Sequence, residues 1–162
     1  MNENSFSADP RLIEALRGRS REVLFGQNRI LFSQGDAPVG LYLVERGEAA
    51  LVMKSAAGRV VMCFHAGAGS VLGLPAVLGD QPYSLTAMAE KDSEVRFVDR
   101  SDFEELMRAD LSLYPCVLQV LSAEVRSARS AATDWQDQAA RDQSRTPAAR
   151  AQMVRTPAPP SN

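Results

Sequence analysis

The chain has one histidine, one tryptophan and two cysteines in 162 residues. A single histidine, His65, is too few for the His-x-His clusters with which jelly-roll folds hold catalytic metals, so neither a metal site nor an enzyme is expected. Two cysteines, Cys63 and Cys116, do not make a disulfide framework. Charge of neither sign prevails: 18 Lys and Arg stand against 20 Asp and Glu, for a net charge of -2. No overall basic excess therefore exists to drive binding to nucleic acid. No stretch approaches the ~18 consecutive apolar residues of a membrane span. The opening MNENSFSADP lacks the basic and apolar runs of a secretory signal. A cytoplasmic location without membrane contact is the expectation.

Hydrophobic residues make up 45% of the chain, enough to bury the core of one domain. Residues 1–8 are polar and expected to be flexible. A short helix is predicted from Asp9, where Leu12, Ile13 and Leu16 recur at helical spacing. Asp9 suits its cap and Pro10 its first turn. The stretch RGRSREV breaks that pattern.

From about Gln27 to Val98 the signals are those of short strands. They run through Ile30-Leu-Phe32, Gly40-Leu-Tyr-Leu-Val44, Ala49–Lys54, Val60–Phe64 and Glu94–Val98. Gly35, Gly47, Gly58 and Gly69 fall between them. Short strands at regular spacing, split by glycine turns, predict a mainly β fold: a β-roll or jelly-roll barrel. Helical signals return after Arg100. Ser101 and Glu104 have the spacing of a capping box, and Asp110 can cap a longer helix. In that helix Tyr114, Val117, Leu118, Leu121, Val125 and Ala128 form one apolar stripe. The domain is expected over 9–135, with 136–162 a disordered Pro-, Ala- and Arg-rich tail.

A short helix, a glycine-punctuated β-roll and a long amphipathic helix resemble, in that order, a cyclic-nucleotide-binding domain of the Crp/Fnr type, sensor half only. The residues that carry the resemblance are Ile30-Leu-Phe-Ser-Gln-Gly-Asp36, Gly40–Val44, Arg46-Gly-Glu48, Gly69-Ser-Val-Leu-Gly73, Tyr83-Ser84 and Glu94–Val98. It covers about residues 10 to 132. It implies a ligand-sensing regulatory module whose site is the loop from Gly73 to Thr86, with Gly73, Leu74, Pro75, Ala76, Tyr83, Ser84 and Thr86 as ligand-binding residues. The ligand would be a cyclic nucleotide or another small molecule, and no further cofactor is expected.

Two positions depart from the family pattern. Its nucleotide-binding members carry a Glu after the loop glycine, for the ribose hydroxyl, where this chain has Leu74. They carry an Arg for the cyclic phosphate where it has Tyr83. Charged hydrogen bonds contribute about 1.5 to 3 kcal/mol each, so losing two weakens binding by roughly two to four powers of ten. Altered or weakened nucleotide specificity is expected. Ser84 and Thr86 alternate with Leu85 and Ala87, which predicts that their hydroxyls share one face. The Tyr83 hydroxyl can donate to a ligand. The alternative is a pseudo-sensor without ligand, kept for dimerisation or protein interaction.

The resemblance also implies a homodimer through the C-terminal helix, with Tyr114, Leu118, Leu121 and Val125 on the seam. The residues beyond this helix, Pro- and Ala-rich, fit no recognition helix, so direct DNA binding is not expected. Cys63 and His65 should share one face of a strand. With no second histidine they fall short of a metal or haem ligand set, and a half-buried strand pair is the better reading.

Overall fold

The computed structural model describes residues 7–25 and 29–144. Helix α1 (Pro10–Arg17) is followed by strands β1 (Arg21–Glu22), β2 (Ile30–Phe32), β3 (Gly40–Arg46), β4 (Glu48–Lys54), β5 (Val60–Gly67) and β6 (Val71–Leu72). Helix α2 (Leu74–Gly79) comes next, then β7 (Thr86–Ala89), β8 (Glu94–Asp99) and α3 (Arg100–Ala109). A 3-10 turn at Leu111–Leu113 leads into the long helix α4 (Tyr114–Ser144). The strands form two four-stranded antiparallel sheets, ordered β1-β8-β3-β6 and β2-β7-β4-β5. The expected β-roll between two helices is present. It consists of two sheets rather than a closed barrel.

The near-continuous apolar run of β3 has a simple cause: both of its faces are covered. Tyr42 and Val44 point between the sheets, where they meet Leu51, Phe64, Leu72, Ala87, Val95 and Phe97. Leu41 and Leu43 point the other way, onto Leu12 and Leu16 of α1, Phe103 and Met107 of α3, and Val117 and Val120 of α4. Side chains alternate along a strand, so one strand serves two cores. Gly40 opens it, and a Cβ there would lie 2.2 Å from the Val98 carbonyl oxygen and 2.6 Å from the Phe97 ring. That close approach lets β3 pair with β8 through to its first residue.

Local chemistry sets the helix starts. The Asp9 carboxylate accepts from the Arg11 N–H at 2.8 Å, and Pro10 begins α1. Asp110 caps the 3-10 turn, accepting from the Ser112 N–H at 3.0 Å, rather than α4 itself. The capping box expected at Ser101 and Glu104 does not form. Strand β8 runs straight to Asp99, α3 starts at Arg100, and Ser101 already lies inside its first turn. Glu104 instead accepts from Arg100 Nε at 2.9 Å.

Three boundaries differ from the sequence expectation. Strand β1, in the stretch that breaks the helical pattern, pairs with β8 through Arg21–Phe97 and Glu22–Arg96. Its two residues are too few for periodicity to register. Ser7 and Ala8, expected to be flexible, are tied down: Ser7 bridges to Ser70, and the Ala8 N–H donates to the Gly69 carbonyl at 2.9 Å. Helix α4 runs to Ser144, past the expected boundary at 135. Its polar stretch is rich in Ala, Gln and Arg, all good helix formers, and no Gly or Pro interrupts 116–144. The remainder of the expected tail, 145–162, and residues 1–6 lie outside the described residues.

Candidate ligand-binding site

A cavity of about 450 Å³ lies between the β2-β7-β4-β5 sheet, the loop after Gly73 and the underside of α4. Its size is that of an ordinary small-molecule site. The sheet supplies Phe32, Leu51, Met53, Met62 and Phe64, and the loop supplies Gly73, Pro75, Ala76, Tyr83, Ser84 and Leu85. Leu121, Glu124, Val125 and Ala128 of α4 close it from above. Among the described residues that line it there is no arginine, lysine or histidine.

The fixed point of the loop is Tyr83. Its ring stacks on Phe32 with centroids 4.1 Å apart and planes at 19°. Its hydroxyl donates to the Gly40 carbonyl at 2.7 Å and accepts from the Val39 and Gly40 N–H groups at 3.2 and 3.3 Å. Its backbone is engaged as well: the Tyr83 N–H donates to Asp36 O at 2.9 Å, and the Gly35 N–H donates to Tyr83 O at 2.8 Å. Gly73 makes room for this ring. Its φ is +92°, and a Cβ would stand 3.1 Å from the Tyr83 ring and 3.2 Å from the Gly40 oxygen. The missing side chain at 73 therefore admits a tyrosine.

The sequence-predicted residues divide accordingly. Gly73, Pro75, Ala76, Tyr83 and Ser84 meet at the cavity. Leu74 does not: it is fully buried in the other core, beside Leu41, Val71 and Phe103. The first turn of α2 points residue 74 away from the cavity and residues 75 and 76 into it. Thr86 is also outside the lining, and its hydroxyl accepts from the Gln34 N–H at 3.0 Å. The expected alternation of Ser84 and Thr86 fails because residues 84 and 85 form a bend and β7 starts only at Thr86. The Tyr83 hydroxyl, expected to serve a ligand, is committed to the backbone of residues 39 and 40.

Along α4, Leu121 and Val125 face the cavity, whereas Tyr114 and Leu118 lie on the surface, Leu118 63% exposed. Cys63 and His65 share one face of β5 as expected, but both are exposed rather than half-buried, and the nearest acid to His65 is Glu48 at 3.9 Å. Among the described residues no group of three or more His, Cys, Asp or Glu could hold a metal ion.

Glu124 is the ionisable cavity residue that the sequence did not single out. It sits in the apolar pattern Leu121, Glu124, Val125, Ala128, at the 3-4 spacing that puts a residue on the buried face of a helix. That placement was the available signal. Burial pushes its carboxyl up to about 7 from an ordinary 4.5, with no charged neighbour contributing.

The comparisons with known proteins bear on this geometry. The family model of the cyclic nucleotide-binding domain matches residues 22–110. The chain belongs to the cyclic nucleotide-binding domain family. Among solved structures it is similar to the catabolite activator protein of Thermus thermophilus, with 26% identity and a TM-score of 0.57 over 81% of this chain. It spans 60% of that protein's length. A structure described under a cyclic-GMP-dependent signalling pathway of bacterial phytopathogenesis is 25% identical, with a TM-score of 0.60 over 74% of this chain and 94% of that one. The regulatory domain of Toxoplasma gondii PKA, solved with cAMP, shares the fold at 20% identity and a TM-score of 0.57, over 73% of this chain and 43% of that one. No curated protein matches. The resemblance to Crp/Fnr-type sensors thus holds, and the family and the structural neighbours are regulatory binding domains. No helix of the described residues is long and apolar enough to cross a membrane.

The Glu124 environment makes stability pH-dependent. Unfolded, its carboxyl loses the proton above about 4.5; folded, it keeps the proton up to about 7. The folded state binds more protons in that window, so stability falls as pH rises through it and stays lower above it. Glu124→Gln removes this loss. Urea unfolding should show the variant gaining on the native chain between pH 5 and 7, by at most about 3 kcal/mol, with no further gain above. A difference independent of pH would contradict the burial of this carboxyl.

Proposed function

We propose that this chain is a ligand-sensing regulatory module in which the fold of a cyclic-nucleotide-binding domain is kept and its usual ligand chemistry is not. The observation that carries this reading is the apolar cavity under α4, whose described lining residues include no cation to meet a phosphate. A cyclic nucleotide would bring a full negative charge beside Glu124 and against the committed Tyr83 hydroxyl. Burying that charge without a partner is costly. A largely apolar small molecule, in contrast, would gain by covering Phe32, Met53, Met62, Phe64 and Leu85. Because α4 supplies one wall, a ligand would favour one position of this helix by its differential affinity for two states.

Calorimetric titration tests the specificity. Cyclic AMP and cyclic GMP should give no saturable heat below millimolar concentration, in line with the loss of two charged anchors. Micromolar binding of either would overturn the reading.

A second reading, an interaction module working through α4, has its own observation. Tyr114, Leu118 and Val125 are 44%, 63% and 50% exposed and fall on one stripe of the helix. A two-fold seam with a second copy would cover them. Leu118 makes no contribution to either core, so Leu118→Glu should leave the thermal unfolding midpoint within a few degrees and turn a dimer into a monomer in sedimentation velocity. A native chain that is monomeric at the highest concentration measured would remove the seam.

A further inference from the structure

The cavity contains one ionisable group without a partner. Every hydrogen bond of Tyr83 is already used by the loop, as its contacts to residues 36, 39 and 40 show. The Glu124 carboxyl, in contrast, is paired with no described group, and apart from the Tyr83 and Ser84 hydroxyls the side chains that line the cavity with it are carbon and thioether sulfur. The sheet facing it offers Leu51 and Met53 from β4, and Met62 and Phe64 from β5, none of which can donate a proton or a hydrogen bond. An acid so placed penalises an anion and a purely apolar guest leaves it unsatisfied. A cation satisfies it, and aromatic rings in the same lining, Phe32 and Phe64 among them, add attraction for positive charge.

We infer that the cavity takes an organic cation: a protonated amine on an apolar body, its ammonium group held by the Glu124 carboxylate. This rests on the cavity being a ligand site, as proposed above, and names the chemistry of its ligand. The apolar body would fill the space between Phe32, Met53, Met62, Phe64 and Leu85, while the charged head would lie under α4. Because Glu124 gives up its proton to make the pair, amine affinity rises with pH through about 7. Among the described residues of the lining the other titratable side chain is Tyr83, whose hydroxyl donates to the Gly40 carbonyl.

Three probes of matched shape separate the possibilities: naphthylethylamine, naphthylethanol and naphthylpropionate, titrated by calorimetry into the full chain at pH 8. The amine should bind about tenfold or more tightly than the alcohol, and the carboxylate least. In Glu124→Gln, amine binding should fall about tenfold while alcohol binding stays within about twofold. A cooperative melt of that variant shows that it is folded, and Glu124→Leu, with the same loss, separates charge from the amide. Equal binding of amine and carboxylate, or amine binding unchanged in Glu124→Gln, would overturn the inference while leaving the cavity a ligand site. Silence from all three probes with folded native protein would remove the ligand site itself and this inference with it.

Discussion

The loop that defines the site is held by one side chain. Tyr83 stacks on Phe32 of β2, and its hydroxyl donates to Gly40 of β3 while accepting from the N–H groups of residues 39 and 40. It thus joins strands of the two sheets at the end of the β-roll where the loop lies. A hydrogen-bonded hydroxyl in a buried setting is worth most when its loss would strand its partners, and here three backbone groups depend on it. Gly73, with no Cβ, leaves the space into which the ring fits. The family pattern leads one to expect an arginine for a phosphate at this place. Here a tyrosine stands there, and its bonds to the protein's own backbone tie the loop to β3.

Among the described residues the cavity lining carries no positive charge, and its side chains are apolar except for Tyr83, Ser84 and Glu124. Helix α4, which carries Glu124, turns three faces to three different surroundings. Cys116, Val117 and Val120 enter the core, Leu121, Glu124 and Ala128 roof the cavity, and Tyr114 and Leu118 face outward. Val125 belongs to both the roof and the exposed stripe. Under the proposed function, a ligand that moved Val125 would also move the outer face of the helix.

Much of the fold was legible in the sequence because it rests on local and periodic signals. The glycine turns, the two-sided apolar run of Gly40–Val44 and the Asp9-Pro10 helix start each have a local physical cause and appear where expected. The site was less legible. Side-chain direction at Leu74 depends on where α2 begins, and one residue decides whether it meets a ligand or the other core. Thr86 was placed by an alternation that the bend at residues 84 and 85 interrupts. The role of Tyr83 depends on Gly40, 43 residues away in sequence, which no local pattern reports. Helix α4 outruns its expected end because the polar composition that resembles a disordered tail consists, up to Ser144, of residues that favour helix.

The loop is held by the protein itself. Amide hydrogen exchange on the ligand-free chain, native and Tyr83→Phe, measures this directly. In the native chain the amides of Gly35, Val39, Gly40 and Tyr83 should be protected like those of the β4–β5 pair. In the variant the Val39 and Gly40 amides should exchange about tenfold or more faster, with β4 and β5 unchanged. Native amides at these four positions exchanging as freely as an open loop, or a variant indistinguishable from the native chain, would contradict it.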